Sequence, residues 1–110
     1  MAPISVEARK IAGEYVKGLG SKLKVKRAIL FGSAARGKMT RDSDIDLIII
    51  SDGFRDMNLR QRLVFLSRSR GNKFIDWPMD VLGYTADEFN KLSRVSSMFS
   101  EARKYGLVIK

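Results

Sequence analysis

The sequence contains no cysteine and no histidine among its 110 residues. Their absence excludes a disulfide scaffold, a zinc site of the Cys/His kind, a thiol nucleophile and a Ser-His-Asp triad. Any chemistry must therefore come from carboxylates, hydroxyls, Lys and Arg side chains, backbone groups or a bound metal ion.

The sequence also lacks a long apolar run. The longest, from Ile45 to Ile50, is interrupted by Asp46, and it falls far short of the roughly 20 residues that span a bilayer. The N-terminal residues contain no apolar core of the kind found in signal peptides. We therefore expect no membrane association and a cytoplasmic location.

Acidic residues are few relative to basic ones, since 12 Asp and Glu stand against 21 Lys and Arg and give a net charge of +9. This surplus favours an anionic partner such as nucleic acid, nucleotide phosphate or an acidic protein surface, although a solvated basic surface explains it equally well. Hydrophobic residues make up 45% and charged residues 30%, a balance typical of globular proteins. We predict a single domain over residues 1–110.

Periodicity and stop signals predict a small α/β sandwich with a mixed sheet. Four helices are expected. The first covers Ser5–Leu19, and the second covers 59–70, follows an Asn58 cap and has Leu59, Leu63 and Leu66 facing inward. The third follows a Thr85–Glu88 capping box, and the fourth covers about Ser96–Tyr105. Strands are expected at Val25–Phe31, Asp44–Ser51, Trp77–Tyr84 and, at one edge, Leu107–Ile109. The first two strands are too close in sequence for a helical crossover, so they should pair antiparallel.

Two carboxylates stand two residues apart at the start of the second predicted strand. Residues i and i+2 of a strand project to the same face, so Asp44 and Asp46 should lie side by side while Ile45 and Leu47 enter the core. Adjacent carboxylates repel, and Mg²⁺ suits a site of few carboxylates with waters and phosphates. An exposed strand face is the simpler explanation of this pair taken alone.

Gly32 and Ser33 come directly after the first predicted strand. A glycine there allows backbone N–H groups to approach a phosphate, and the Ser33 hydroxyl can donate to a phosphate oxygen. Arg36, one helical turn later, can make a bidentate phosphate contact. An ordinary Gly-Ser turn is the alternative interpretation.

A third carboxylate, Asp80, lies between apolar residues of the third predicted strand. A charge in that setting needs a partner. A metal shared with Asp44 and Asp46 would supply one, and a salt bridge to a nearby arginine is the alternative. Asp76 is a rival candidate, but it precedes Trp77-Pro78 and is expected to lie in a turn.

Taken together, these segments resemble a known family. The run from Ile29 to Gly37, which contains Phe31-Gly32-Ser33, and the run from Asp42 to Leu47, which contains Asp44-Ile45-Asp46, are similar to the signature of the DNA polymerase beta-type nucleotidyltransferase superfamily. The short chain resembles its minimal nucleotidyltransferase branch over nearly its whole length.

The resemblance implies that Asp44, Asp46 and Asp80 are catalytic and bind two Mg²⁺ ions. It also implies a nucleotide-binding set, consisting of Gly32, Ser33, Arg36 and Ser43. The reaction implied is transfer of a nucleoside monophosphate with release of pyrophosphate.

Larger relatives carry a second domain that shapes the acceptor site. In the minimal branch the usual partner is a helical HEPN-type toxin, and the resemblance therefore implies an antitoxin that moves AMP from ATP to a tyrosine of that partner. Two alternatives remain open: a non-catalytic antitoxin that only binds, and nucleotidyl transfer to a nucleic acid end or a small molecule. A homo-oligomer is also compatible with the sequence.

Overall fold

The computed structural model describes residues 4–37, 39–40, 43–71 and 76–110. Besides a short 3₁₀ helix at Asp52–Phe54, five α-helices are present in these residues: α1 (Ile4–Leu19), α2 (Ser33–Arg36), α3 (Leu59–Arg70), α4 (Ala86–Val95) and α5 (Ser97–Tyr105). Four strands accompany them: β1 (Arg27–Phe31), β2 (Ile45–Ile50), β3 (Met79–Tyr84) and β4 (Leu107–Val108). Within the described residues, no helix has the length and apolar character needed to cross a bilayer.

The four strands form one mixed sheet in the order β3-β2-β1-β4. β1 pairs antiparallel with both β2 and β4, whereas β2 and β3 are parallel. A parallel pair needs a crossover connection, and α3 supplies it between β2 and β3. The predicted α/β sandwich with a small mixed sheet is therefore confirmed, including the short edge strand after α5.

The sheet is covered on both faces. One face packs against α1 and α3 through alternate residues of β2, and these are Ile45, Leu47 and Ile49. The other face packs against α4 and α5 through Ile48 and Ile50. Because side chains alternate along a strand, a strand buried on both faces reads as a nearly continuous apolar run, as β2 does.

Two strands begin two residues later than their sequence patterns predict, and β2 begins one residue later, at Ile45. β1 begins at Arg27 rather than Val25, and β3 begins at Met79 rather than Trp77. Pro78 precedes β3, and its carbonyl accepts a bond from the Ile45 N–H at 2.8 Å. A proline has no N–H to contribute to the ladder, so regular pairing starts at the next residue.

The predicted inward face of α3 is confirmed for Leu66 but wrong for Leu59 and Leu63. Leu59 and Leu63 are 59% and 50% exposed, and the buried residues of the helix are Arg62 and Leu66. Arg62 turns inward because its guanidinium donates to Glu88 at 2.6 Å and to the Phe54 carbonyl at 2.8 Å. These bonds satisfy a charge that burial would otherwise make costly, and they set the rotation of the helix.

Helix caps follow the sequence closely. The Asn58 and Thr85 side chains each accept a bond from the backbone N–H three residues later, and Gln61 and Glu88 complete the two capping boxes. Such caps satisfy N–H groups that the first helical turn leaves without partners. They fix the starts of α3 and α4, and through these helices the position of β3.

Candidate active site

The site lies where β1 ends and where β2 and β3 begin. Phe31 pairs with Asp46, and Asp46 pairs with Asp80, so these three residues form a row across adjacent strands. Paired residues project to the same face of a sheet, and adjacent strands are about 4.8 Å apart. Asp46 and Asp80 therefore lie side by side on the face that α4 and α5 cover farther along the strands.

The negative charges of two of the predicted carboxylates act on the third, Asp46. Partial burial raises the pKa of Asp46 above its ordinary value, and the negative charges of Asp80 and then Asp44 raise this pKa further. Asp44, directly before β2, and Asp80 are both exposed. Asp44 and Asp80 therefore lie near enough to Asp46 for their charges to act on it, and we refer to Asp44, Asp46 and Asp80 as the acidic cluster.

This acidic cluster suits a hard divalent cation. Carboxylate oxygens are the ligands that Mg²⁺ prefers, and a cation would offset the partial burial and the neighbouring negative charges that together raise the pKa of Asp46. None of the ion pairs found among the described residues involves these three aspartates. Across the same residues, no group of three acidic side chains is arranged to hold a metal ion.

Gly32 lies directly against Asp46. Its backbone has φ +71°, a conformation that residues with a side chain rarely adopt, and a Cβ atom at this position would collide with Oδ2 of Asp46. The helix α2 begins at the next residue, and the backbone N–H groups of a first helical turn have no partners within the helix. Glycine thus allows the start of α2 to approach the acidic cluster.

The resemblance implies nucleotidyl transfer, and replacing Gly32 with Ala should lower its rate by about a hundredfold, because the added methyl group displaces the Asp46 carboxylate. Gly37→Ala is the matched control, since Gly37 also has a positive φ but has no neighbour within 4 Å of an added Cβ. Steady-state rates of both variants test this, and equal losses would show that backbone strain alone is responsible.

The other predicted nucleotide ligands differ in their surroundings. Ser33, the first residue of α2, is half-buried beside Gly32. Arg36 extends across to α5, where its guanidinium donates to the Glu101 carboxylate at 2.8 Å, and both side chains are 57% exposed. The Ser43 hydroxyl, next to Asp44, accepts a hydrogen bond from the Thr40 N–H at 3.0 Å. Asp42, which belongs to the resembling segment, lies outside the described residues.

A cleft of about 280 Å³ separates α2 from α5. Gly32, Ser33 and Arg36 line one side, and Met98, Glu101 and Tyr105 line the other. Sequence reasoning missed the α5 residues because Arg36 and Glu101 are 65 positions apart and no local pattern links them. The rival carboxylate Asp76 is exposed and lies in the turn before β3, as expected.

Known proteins show the same domain. A family model described as a nucleotidyltransferase domain matches residues 13–105. A solved structure from Sulfolobus solfataricus, described as a proposed nucleotidyltransferase, covers 98% of this chain with a TM-score of 0.65. The alignment covers 87% of the Sulfolobus chain at 24% identity, so this likeness shows the fold alone.

Shorter matches occur to two proteins of Methanocaldococcus jannaschii, MJ0604 and MJ1379, each named as a proposed protein adenylyltransferase. The first is 49% identical over 45 residues, which are 39% of this chain and 45% of MJ0604. The second is 46% identical over 46 residues, which are 42% of this chain and 46% of MJ1379. The matched segments thus span slightly less than half of each curated relative. Because the family model extends over most of the chain, this protein belongs to the nucleotidyltransferase domain family.

Proposed function

We propose that this protein is a Mg²⁺-dependent protein adenylyltransferase that moves AMP from ATP to a tyrosine hydroxyl of a helical HEPN-type partner and acts as its antitoxin. The observation that carries the proposal is the contact of Gly32 with Asp46 at the centre of the acidic cluster. The names of the two Methanocaldococcus relatives support a protein acceptor.

In this proposal Asp44, Asp46 and Asp80 hold two Mg²⁺ ions, which when bound would offset the charge of the phosphates and polarise them. Gly32 keeps the backbone close to the phosphates, and the Ser33 hydroxyl donates to a phosphate oxygen. Arg36 exchanges Glu101 for a phosphate oxygen, a change that costs little because an exposed ion pair is worth about 1 kcal/mol or less.

The transfer exchanges one phosphorus–oxygen bond for another. The acceptor hydroxyl oxygen bonds to the α-phosphorus of ATP as the bond between that phosphorus and the oxygen leading to the β-phosphate breaks. Pyrophosphate leaves, and the hydroxyl proton passes to solvent. The chain's residues contribute by holding the pyrophosphate portion and the α-phosphate in line with the acceptor.

The proposed site needs a partner to complete it. The acidic cluster and the cleft beside it open to solvent through exposed Asp44, Asp80 and Tyr105. An acceptor protein that covers this face would exclude water and with it the hydrolysis of ATP. A net charge of +9 favours an acidic partner surface. We further propose that residues 1–110 act as one domain and that the reaction takes place in the cytoplasm.

Incubation of the protein with its helical partner, ATP and Mg²⁺ should add AMP to a partner tyrosine and abolish the partner's toxicity. Intact-mass spectrometry followed by peptide mapping measures this directly. The control is Asp44→Asn, which keeps the size of the side chain but removes its charge. A partner that stays unmodified yet is neutralised equally by both proteins would favour the non-catalytic antitoxin, and AMP found on RNA instead would favour a nucleic acid acceptor.

A further inference from the structure

A groove of about 410 Å³ lies between α3 and Lys22, the third residue after α1 ends. Apart from Lys22, every described residue that lines it belongs to α3 or is the cap of that helix, Asn58. We refer to this surface as the α3 groove.

The α3 groove follows the axis of the helix. Residues four positions apart in an α-helix lie one above the other on the same face. Arg60, Val64 and Arg68 form such a row, and all three line the groove. At 1.5 Å per residue, the two arginines stand about 12 Å apart along the axis. The row therefore places one apolar side chain midway between two cations.

The middle of the α3 groove is apolar and accessible. Val64 is 42% exposed, and the neighbouring lining residue Phe65 is partly buried against the core of the domain. Burial of apolar surface drives most protein association. A partner that covers Val64 would therefore gain an apolar contact at the centre of the groove.

The cations of the α3 groove are not compensated by acidic residues of the groove. Lys22, Arg60 and Arg68 are all exposed, and none of them takes part in an ion pair within the described part of the chain. No Asp or Glu is among the described residues that line the groove, and Asp56, the acidic residue nearest to α3 in the sequence, is not one of them. Three cations on one concave surface produce a positive potential that attracts carboxylates.

We propose that the α3 groove binds an acidic, amphipathic helix of a partner protein. This helix would lie along α3 and place an apolar side chain on Val64. Carboxylates four residues before and four residues after that side chain would also be about 12 Å apart, the separation of Arg60 and Arg68. Lys22, on the opposite wall, would meet a further carboxylate of the same helix.

A helix bound in the α3 groove would leave the acidic cluster open. α3 packs against the face of the sheet that carries Leu47, whereas Asp46 and Asp80 lie on the opposite face. Docking at α3 is therefore separate from the proposed transferase activity and does not depend on it. A partner protein held at α3 would still leave the cluster accessible to ATP and to an acceptor.

The same features favour a polypeptide over a nucleic acid. Sites for single-stranded nucleic acid combine cations with aromatic side chains on which bases stack. The exposed side chain between Arg60 and Arg68 is the aliphatic Val64, and Phe65 beside it packs against the core. A polypeptide helix can supply an apolar side chain and carboxylates at the required spacing together.

NMR titration of the nitrogen-15-labelled protein with synthetic helices tests the proposal without ATP, and it locates the binding site even when binding is weak. The first probe is an alanine-rich peptide of about 18 residues, long enough to form a helix, with Glu, Leu and Glu at positions i, i+4 and i+8. The second probe has Lys in place of both Glu residues.

The test variant is Arg60→Glu/Arg68→Glu. The matched control is Arg9→Glu/Arg94→Glu, which changes the net charge equally through exposed arginines of α1 and α4 that do not line the groove. Arg68 and Arg94 both lie in the last turn of their helices, so their replacement has a similar effect on helix stability.

The Glu peptide should shift the amide signals of the α3 groove in the unaltered protein. The test variant should bind this peptide at least about tenfold more weakly, because two attractions become repulsions, and the control should bind it within about twofold of the unaltered protein. The test variant should bind the Lys peptide more tightly than the unaltered protein does, a gain that cannot come from a failure to fold.

Four results would each overturn the proposal. They are equal losses in the test variant and the control, shifts centred outside the α3 groove, no binding of the Glu peptide, and tighter binding of an RNA oligonucleotide at the same groove.

Discussion

Replacing Asp46 with Asn should lower the rate of nucleotidyl transfer by about a thousandfold or more while the fold persists. Asp46 is the central carboxylate of the row that crosses β2, and its charge is what Asp44 and Asp80 repel. Asparagine has nearly the same shape but cannot offset the charge of a bound cation. Loss of cation-mediated stabilisation of the transition state costs several kcal/mol, which corresponds to this reduction in rate.

The Asp46→Asn substitution should leave the stability of the protein unchanged or raise it, although it lowers the rate. The raised pKa of Asp46 means that the folded state binds its proton more tightly than the unfolded state does. The contribution of Asp46 to the stability of the unaltered protein therefore falls as the pH rises above the ordinary Asp value of 3.8. At neutral pH in EDTA, the melting temperature of Asp46→Asn should equal or exceed that of the unaltered protein.

Steady-state release of pyrophosphate and thermal melts measure both effects. Asp56→Asn is the control, because Asp56 is an exposed carboxylate after β2 and outside the acidic cluster. An Asp46→Asn variant with near-normal turnover would refute the assignment of this cluster as catalytic.

Replacing Arg62 with Ala should lower the free energy of unfolding by about 3 kcal/mol. The side chain is 5% exposed and bonds to the Glu88 carboxylate, and it also donates to the Phe54, Met57 and Gly83 carbonyls. Removal of one partner from a buried ion pair costs about 3–5 kcal/mol. We expect the lower end because Glu88 itself is 42% exposed and can regain water.

For a domain of this size, such a loss lowers the melting temperature by roughly 15 °C. Arg60→Ala is the matched control, since Arg60 is an exposed arginine of the same helix and its loss should cost about 0.5 kcal/mol or less. The Arg62 bonds hold the pKa of Glu88 below its ordinary value of 4.5. The difference between the unaltered protein and Arg62→Ala should therefore persist above that pH and shrink as the pH falls below it. A drop of only a few degrees at neutral pH would show that α3 is held by its apolar contacts alone.

Local signals in the sequence predict much of this structure. The Thr85–Glu88 capping box and the Asn58 cap each act within three residues, so the starts of α4 and α3 were predictable without knowledge of the fold. The spacing of Asp44 and Asp46 likewise predicts a shared face, because strand geometry alone determines it. The position of Asp80 beside Asp46 needed one further assumption, that the two strands pair in this register.

Distant contacts account for what the sequence did not predict. Leu59, Leu63 and Leu66 satisfy the apolar spacing of a helix, yet the bonds from Arg62 to Glu88 turn the helix so that Leu63 is exposed. Those partners are 26 positions apart, and Arg36 and Glu101 are 65 apart. Hydrophobic periodicity depends on neighbouring residues only. It therefore cannot predict an ion pair between distant residues, nor the burial of an arginine that such a pair stabilises.

The measurement that tests the account most directly follows the fate of labelled phosphate. The protein is incubated with the proposed helical partner and ATP labelled in either the α- or the γ-phosphate, with Mg²⁺ or with EDTA. We expect label on the partner from α-labelled ATP with Mg²⁺. We expect no label on the partner from γ-labelled ATP, and no label from either form of ATP in EDTA. Label that arrives from the γ-phosphate, or transfer that persists in EDTA, would contradict a metal-dependent nucleotidyl transfer at Asp44, Asp46 and Asp80.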